Sequence, residues 1–399
     1  MATTHLAQRA QRIKPSPTIA VTQRAAELKR QGKDVIGLGA GEPDFDTPDH
    51  IKQAAIDAIN KNMTKYTAVD GIPDLKQAII DKFRRDNGLD YAMDQVLASV
   101  GAKQGLFNLC QAVLDAGDEV VIPAPYWVSY PDMVLLANAT PVITACGIDL
   151  GFKLVPEQLE QVLTDKTRLF IINSPSNPTG VVYTRAELSA LAEVLRAHPN
   201  VMIASDDIYE HICWGDEPFC NIVDACPELF EQTIVFNGVS KVYAMTGWRI
   251  GYAAGPKPVI AAMKKIQSQS TSNPASVSQV AAAAALSGDQ TCIAAMVQAF
   301  KARHDRVVER LNRINGIHCL PSQGAFYAFP DMREVIARRS GINNDIDMAE
   351  YLLNEAGVAL VPGSAFGAEG YLRLSFATSM EILDEALDRM ERLLGQRAA

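Results

Sequence analysis

What most constrains this chain is a series of short apolar runs, each ended by a turn and most of them separated by stretches of helix-forming residues. Gln95 to Val100, Glu119 to Ile122, Arg168 to Ile172 and Val201 to Ala204 read as buried strands, and Thr233 to Phe236 and Ile250 to Ala254 as two more. Runs that are apolar throughout, rather than at alternate positions, belong to strands covered on both faces. The alternation of strand, turn and helix therefore predicts an α/β fold, a mainly parallel sheet flanked by helices, with functional residues at the strand ends. Helices are expected over Thr18 to Gln31, from Pro48 to Lys61 with Thr47 as the cap, over Ile72 to Asn87 closed by Gly88, through Leu114, and over Arg185 to Ala197. A short strand, Asp34 to Leu38, leads into the turn GAGEPDFDTP. The run QVAAAAALSG reads as a tightly packed helix, and Met296 to Ile314 as a long charged helix bridging to a last lobe. From Gly316 the pattern changes to short strands and helices, as in a smaller α+β domain. The expected division is a large domain over 47–297 and a small domain over 298–399, joined by the N-terminal segment 1–46.

With 399 residues, 48% hydrophobic and 21% charged, the chain can hold a large core plus a lobe. A net charge of -9 without a basic cluster argues against nucleic acid and anionic membranes as partners and leaves small molecules. The cysteines are scattered in apolar contexts with no C-x-x-C pair, which suits reduced thiols and predicts a cytoplasmic protein. No H-x-x-x-H or H-E-x-x-H pattern occurs, so no metal site is expected. Neither an apolar leader nor an apolar run of about eighteen residues is present, so neither export nor a membrane span is expected.

The chemistry concentrates in NGVSKVYAMTGWRIGYAAGP, Asn237 to Pro256. Ser240 and Lys241 stand at the exposed end of a buried strand, and Arg249 lies just before the next apolar run. A lysine in this neutral, partly apolar setting suits an uncharged nucleophile, although a solvated surface lysine is the plainer reading of the residue alone. Serine and arginine beside one amine are two phosphate partners, a combination that fits pyridoxal 5'-phosphate bonded to Lys241. Asp206 follows an apolar strand, where an ionised acid needs a cation; a protonated pyridine nitrogen supplies one, and capping of the next turn is the rival reading. Gly101, Ala102 and Lys103 turn a strand into a helix whose free N–H groups can hold a phosphate, though glycine turns before helices are common. Tyr126, Trp127 and Tyr130, taken alone, read as core. Asn177-Pro178 forces a turn at a strand end, where an amide can reach a cofactor oxygen. Arg373, between Leu372 and Leu374, points away from its apolar neighbours, and the surface is the ordinary place for a lone strand arginine.

The segment S-K-x-Y-A-M-T-G-W-R-I-G-Y resembles the cofactor-lysine signature of class I, fold-type I aminotransferases, most closely the branch containing bacterial aspartate aminotransferases. Further matches run from about Lys14 to Thr378. The resemblance implies the pyridoxal-phosphate-dependent transferase fold type I, with Lys241 carrying the cofactor and Asp206 holding its pyridine nitrogen protonated. It implies that Tyr209 and Asn177 bond the phenolic oxygen, and that Gly101, Ala102, Lys103, Ser240 and Arg249 hold the phosphate. Trp127, with Tyr126 in reserve, would face the ring, while Gly41 and Arg373 would take the substrate α-carboxylate. Tyr66 would reach the cofactor phosphate of a second subunit, and polar residues such as Ser270 and Thr271 would be offered to the neighbouring site. The implied assembly is a homodimer with shared active sites. Where this chain has Asp207 the family more often has glutamate, and no loss is expected because Asp206 carries the role.

The implied reaction is transamination between L-aspartate or glutamate and a 2-oxo acid. Lys14 and Lys103, with Ser16, are the candidates for the distal carboxylate. Some close relatives also aminate prephenate, and neither KPSPT nor GLGAGEPDFDTP separates the two activities. A C–S lyase would use the same cofactor residues. The fold also serves as the sensory part of transcription regulators, but a basic helix-turn-helix module is not expected in the short stretch ahead of GEPDFD.

Overall fold

The computed structural model describes residues 5–395. Its strands in chain order are β1 (Ile36–Gly37), β2 (Val96–Ser99), β3 (Glu119–Ala124), β4 (Thr140–Ala145), β5 (Thr167–Asn173) and β6 (Met202–Asp206). They continue with β7 (Thr233–Gly238), β8 (Gly251–Ala254), β9 (Tyr327–Ala328), β10 (Val358–Ala359), β11 (Val361–Pro362) and β12 (Leu372–Ser375). Seven of these form one sheet in the order β2-β8-β7-β6-β5-β3-β4. All neighbours run parallel except β8, which is antiparallel to both β2 and β7.

Burial explains why the strands carry apolar residues at every position. Side chains alternate across a pleat, and here both faces are covered. Leu97, Ile122, Leu169, Ile171, Ile234 and Phe236 pack with residues of the helices Ala102–Val113, Tyr130–Leu136 and Lys257–Ser268. Their neighbours Val96, Val121, Phe170, Ile172, Val235 and Tyr252 belong to the core on the other face, with the helices Pro73–Asn87, Arg185–Arg196 and Ser276–Ser287. β4 is the exception: at the sheet edge it is half exposed and contains Pro141, which an edge strand tolerates. It has no continuous apolar run and was not foreseen.

The helices follow their end signals closely. Gly88 closes Pro73–Asn87 with φ +66°, and Thr184 caps Arg185–Arg196 by accepting from the Glu187 N–H. Thr47, expected to cap the next helix, does not. That helix, Asp49–Asn60, starts after Pro48, and the Thr47 hydroxyl donates instead to the Ala244 carbonyl at 2.8 Å and accepts from Trp248 Nε1 at 3.1 Å. Thr47 thereby ties this loop to the segment after Lys241. The alanine helix buries Ala281, Ala282 and Ala285 against Asp49–Asn60 and Pro73–Asn87. The long charged helix begins earlier than expected, at Thr291, and ends at Arg313.

In the remaining elements, β1 pairs in parallel with β10, and β12 lies antiparallel between β11 and β9. The helices Pro17–Arg30, Thr291–Arg313 and Met380–Leu394 pack around these strands. Among the described residues no single helix is long and apolar enough to cross a membrane.

Candidate active site

The C-terminal ends of β5, β6 and β7 meet the N-terminal end of the reversed β8 at one edge of the sheet, where a cavity of about 590 Å³ opens. Ile19, Thr22 and Gln23 of the helix Pro17–Arg30 line one side, and Tyr327 and Arg373, from β9 and β12, another. Gly41, Ala102, Lys103, Trp127, Asn177, Asp206, Tyr209, Ser240, Lys241 and Arg249 complete the set brought together from distant parts of the sequence.

Asp206 ends β6 and is 4% exposed. Its Oδ2 accepts from the Tyr130 hydroxyl at 2.6 Å and its Oδ1 from the Ile208 N–H at 3.4 Å. Burial outweighs these bonds and the charge of Lys241, and pushes the carboxyl up to about 6. Lys241 Nζ donates to the Gly41 carbonyl at 2.6 Å and lies 5.8 Å from the ring centroids of Tyr209 and Phe326. Burial, then the positive charges of Arg373 and Arg249, bring its ammonium down to about 8. The amine is thereby made easier to discharge.

Arg249 adopts a left-handed backbone, φ +57°, just before β8, and its Nη1 donates to the Thr246 carbonyl at 2.7 Å. Its guanidinium lies against Gly101, where φ is +79° and a Cβ would stand 2.4 Å from Arg249 Nη2. Only glycine fits there. Gly101 precedes the helix Ala102–Val113, whose first N–H groups have no partner within the helix, so an anion at this point meets donors and a cation together. Lys103 Nζ sits 4.9 Å over the Trp127 ring, its ammonium lowered by burial and by Arg249.

Arg373 is not at the surface, as the residue alone suggested, but 2% exposed. Its Nη1 donates to Asn177 Oδ1 at 2.8 Å and its Nη2 to the Gly39 carbonyl at 2.6 Å, while its Nε has no partner. The guanidinium stacks 4.5 Å from the Tyr327 ring centroid and 4.8 Å from that of Phe366. A buried cation held only by neutral acceptors and aromatic faces is a receptor for a carboxylate. Gly41 lies beside it, where a Cβ would come within 2.5 Å of Tyr327 Oη.

Lys14, expected at the distal carboxylate, lies outside the cavity. Tyr66, 93% exposed, and Ser270 and Thr271 do not line this chain's own cavity either, as residues expected to serve a second subunit's site would not. Tyr126 packs behind the site against Gly367. Asp207 turns away from the cavity, its carboxylate accepting from Ser205 at 2.6 Å and Asn221 at 3.2 Å; burial first, then Glu210, pushes it up to about 8. Asp86, Glu210 and His211 come together outside the cavity lining, where the buried Lys82 ammonium contacts Glu210 and lies 3.9 Å from Asp86. Sequence reasoning also missed contributors. Tyr327 Oη lies 2.8 Å from Tyr209 Oη, and Asn173 takes the Asn177 N–H on Oδ1 while donating to the Asp206 carbonyl, each at 2.8 Å. Glu42 contacts the Thr246 hydroxyl at the rim. Tyr327 had no signal beyond its place in GAFYAFP, and Tyr130 stood among three aromatics that read as core.

This arrangement fits pyridoxal phosphate on three counts. A buried acid has donors but no ion-pair partner among the described residues, a primary amine is readily discharged, and a glycine–arginine cradle sits at a helix start. The comparisons agree. The model of the family "Aminotransferase class I and II" matches residues 33–390. An aspartate/prephenate aminotransferase of Nitrosomonas europaea is 58% identical over 394 residues, 98% of this chain and 99% of the relative. The crystal structure of an aspartate aminotransferase from Rhizobium meliloti superposes with a TM-score of 0.96 at 48% identity, covering 100% of both chains. An aspartate aminotransferase from Thermus thermophilus, solved with maleate, gives 0.92 at 44% identity over 98% of this chain and 100% of that one. With sequence, fold and cavity in agreement over almost its entire length, the chain belongs to the class I and II aminotransferases, which work with pyridoxal phosphate.

Proposed function

We propose that this protein transfers the amino group of L-aspartate or L-glutamate to a 2-oxo acid, 2-oxoglutarate or oxaloacetate, and that it also aminates prephenate to arogenate. The observation that carries this reading is Arg373, a buried guanidinium with a free Nε that shares the cavity with the Lys241 amine. Lys103, over Trp127, is a second cation in the lining of the cavity that holds Arg373, available to a dicarboxylate's other end, and Ser16 lines the same cavity. The names of the relatives, aspartate/prephenate aminotransferase and aspartate aminotransferase, support aspartate as donor and prephenate as one acceptor. The cavity, about 590 Å³ with Ile19 and Val128 in its lining, leaves room for a ring-bearing oxo acid.

When bound, pyridoxal phosphate supplies an aldehyde for the amino group and a ring that takes up the electrons of the breaking Cα–H bond. Lys241 would carry it, Asp206 would face its ring nitrogen, and Asn177 and Tyr209 its phenolic oxygen. Gly101, Ala102, Lys103, Ser240 and Arg249 would hold the phosphate, with Trp127 against the ring. The substrate α-carboxylate takes Arg373 from Gly39 and Asn177, beside Gly41. The Lys241 amine, once released, would accept the Cα proton as general base and, as general acid, would deliver it to the carbon on the far side of the transferred nitrogen, the former aldehyde carbon. The second oxo acid reverses the sequence in a ping-pong cycle.

The same reading makes the protein a cytoplasmic homodimer in which Tyr66 completes the partner's site. The exposure of Tyr66, with Ile56, Ile59 and Met63 exposed nearby in sequence, supports it. The division into a large domain over 47–297 and a small one over 298–399, joined by 1–46, is supported by the pairing of β1 with β10.

The test is a pair of half-reactions followed in the visible spectrum. Aspartate should bleach the band of the lysine-bound cofactor, 2-oxoglutarate and prephenate should each restore it, and Lys241→Ala should lack it. Release of pyruvate from a thioether amino acid, with no restoration by an oxo acid, would assign the site to C–S cleavage instead.

A further inference from the structure

Tyr130 occupies a position that its reading as a core aromatic does not explain. It opens the helix Tyr130–Leu136, is 2% exposed, and its hydroxyl donates to Asp206 Oδ2 at 2.6 Å. Its ring meets Trp127 edge-on, with centroids 5.3 Å apart and planes at 83°, and its N–H donates to the Trp127 carbonyl at 3.0 Å. One residue therefore steadies both the acid and the aromatic face of the cavity.

The groups around Asp206 come from each element packed against it. Lys241 approaches from the loop after β7, Ile208 and Tyr209 from the turn after β6, and Asn173 from β5, bonded to the Asp206 carbonyl rather than its carboxylate. Asp207 faces Ser205 and Asn221 instead. Among the described residues Tyr130 is the side chain that donates to this carboxylate. A phenol donates without adding a charge. A lysine or arginine there would neutralise Asp206 as an ion-pair partner, whereas a neutral donor stabilises the anion and leaves its full charge for a cation in the cavity.

We propose that Tyr130 is a positioning residue for amino transfer: its hydroxyl holds the Asp206 carboxylate ionised and in one orientation, so that the proton stays on the ring nitrogen of bound cofactor. This rests on the assignment of Asp206 to that nitrogen. Without the donor the carboxylate becomes more basic and draws the proton toward itself, and the ring loses positive charge. The nitrogen joined to Lys241 then binds its own proton more tightly.

The test is Tyr130→Phe in the cofactor-loaded enzyme, which removes one oxygen and keeps the ring against Trp127. The pH midpoint of the visible band should move upward by roughly half a unit or more. The value of kcat for aspartate should fall roughly tenfold, as expected for one lost hydrogen bond to a charged group, with KM changed less than about twofold. Tyr126→Phe, at a ring that packs behind the site against Gly367 and makes no bond to Asp206, should not move the midpoint. A Tyr130→Phe enzyme with the wild-type midpoint and kcat overturns the inference, even if its melting temperature has dropped. A wild-type protein that shows no visible band would remove the cofactor assignment and this inference together.

Discussion

At the scale of single residues the site depends on charges held where water would normally solvate them. Lys241 titrates at about 8 in the folded protein against a usual 10.5, because it is buried beside Arg373 and Arg249. Between those two pH values the unfolded chain binds more protons, so this lysine's contribution to stability rises with pH across that window. In the unloaded protein Lys241→Met should therefore melt higher than wild type at pH 7, with the difference shrinking toward pH 10, while amino transfer falls by about four orders of magnitude or more. Asp207 shows the opposite sign. Its carboxyl is raised from 3.8 to about 8, so the folded state binds the extra proton and stability is lost as pH climbs through that range. Asp207→Asn should raise the melting temperature at pH 8 and leave it unchanged near pH 4, with the Ser205 hydroxyl turning to accept. Arg373→Lys keeps the charge but not the planar fork, and should raise KM for aspartate roughly 10- to 100-fold in steady-state kinetics.

At the scale of elements, tightness of packing decides tolerance. The helix Ser276–Ser287 presents Ala281, Ala282 and Ala285 at 0% exposure to two neighbouring helices. Ala282→Leu should cost about 1–3 kcal/mol in urea unfolding because nothing there can make room. The same contrast between apolar and mixed surfaces governs what the sequence revealed. Strands buried on both faces were legible as unbroken apolar runs, and Asp206, Asn177 and Lys241 stood out because polar residues interrupt or follow those runs. β4, half exposed at the edge, carries no such run. Tyr130 and Tyr327 were illegible because a buried hydroxyl on an aromatic ring looks like core until its partner is seen. Arg373 misled for the converse reason. A lone arginine in a strand is ordinarily solvated, and only the assembled cavity, with its Asn177 and Gly39 acceptors, makes its burial possible.

At the scale of the whole molecule, one chain encloses most of the cavity but leaves Tyr66 outside it, 93% exposed. In the proposed dimer each tyrosine serves the other chain's site. Tyr66→Ala and Lys241→Ala, each nearly inactive alone, should regain about a quarter of wild-type activity when unfolded together and refolded, since half the dimers are then hybrids with one sound site. Absence of recovery in the mixture would place Tyr66 outside the partner's site. The reversed direction of β8 bears on how such an enzyme can be recombined. Because β7 and β8 are antiparallel neighbours, Lys241 and Arg249 lie on one continuous connection rather than on separate crossovers. The covalent and ionic anchors proposed for the cofactor are thus inherited as a single cassette. In chimeras between relatives, breakpoints in the helical crossovers can exchange other walls of the cavity while leaving the spacing of these anchors untouched, and only a breakpoint between 241 and 249 separates them.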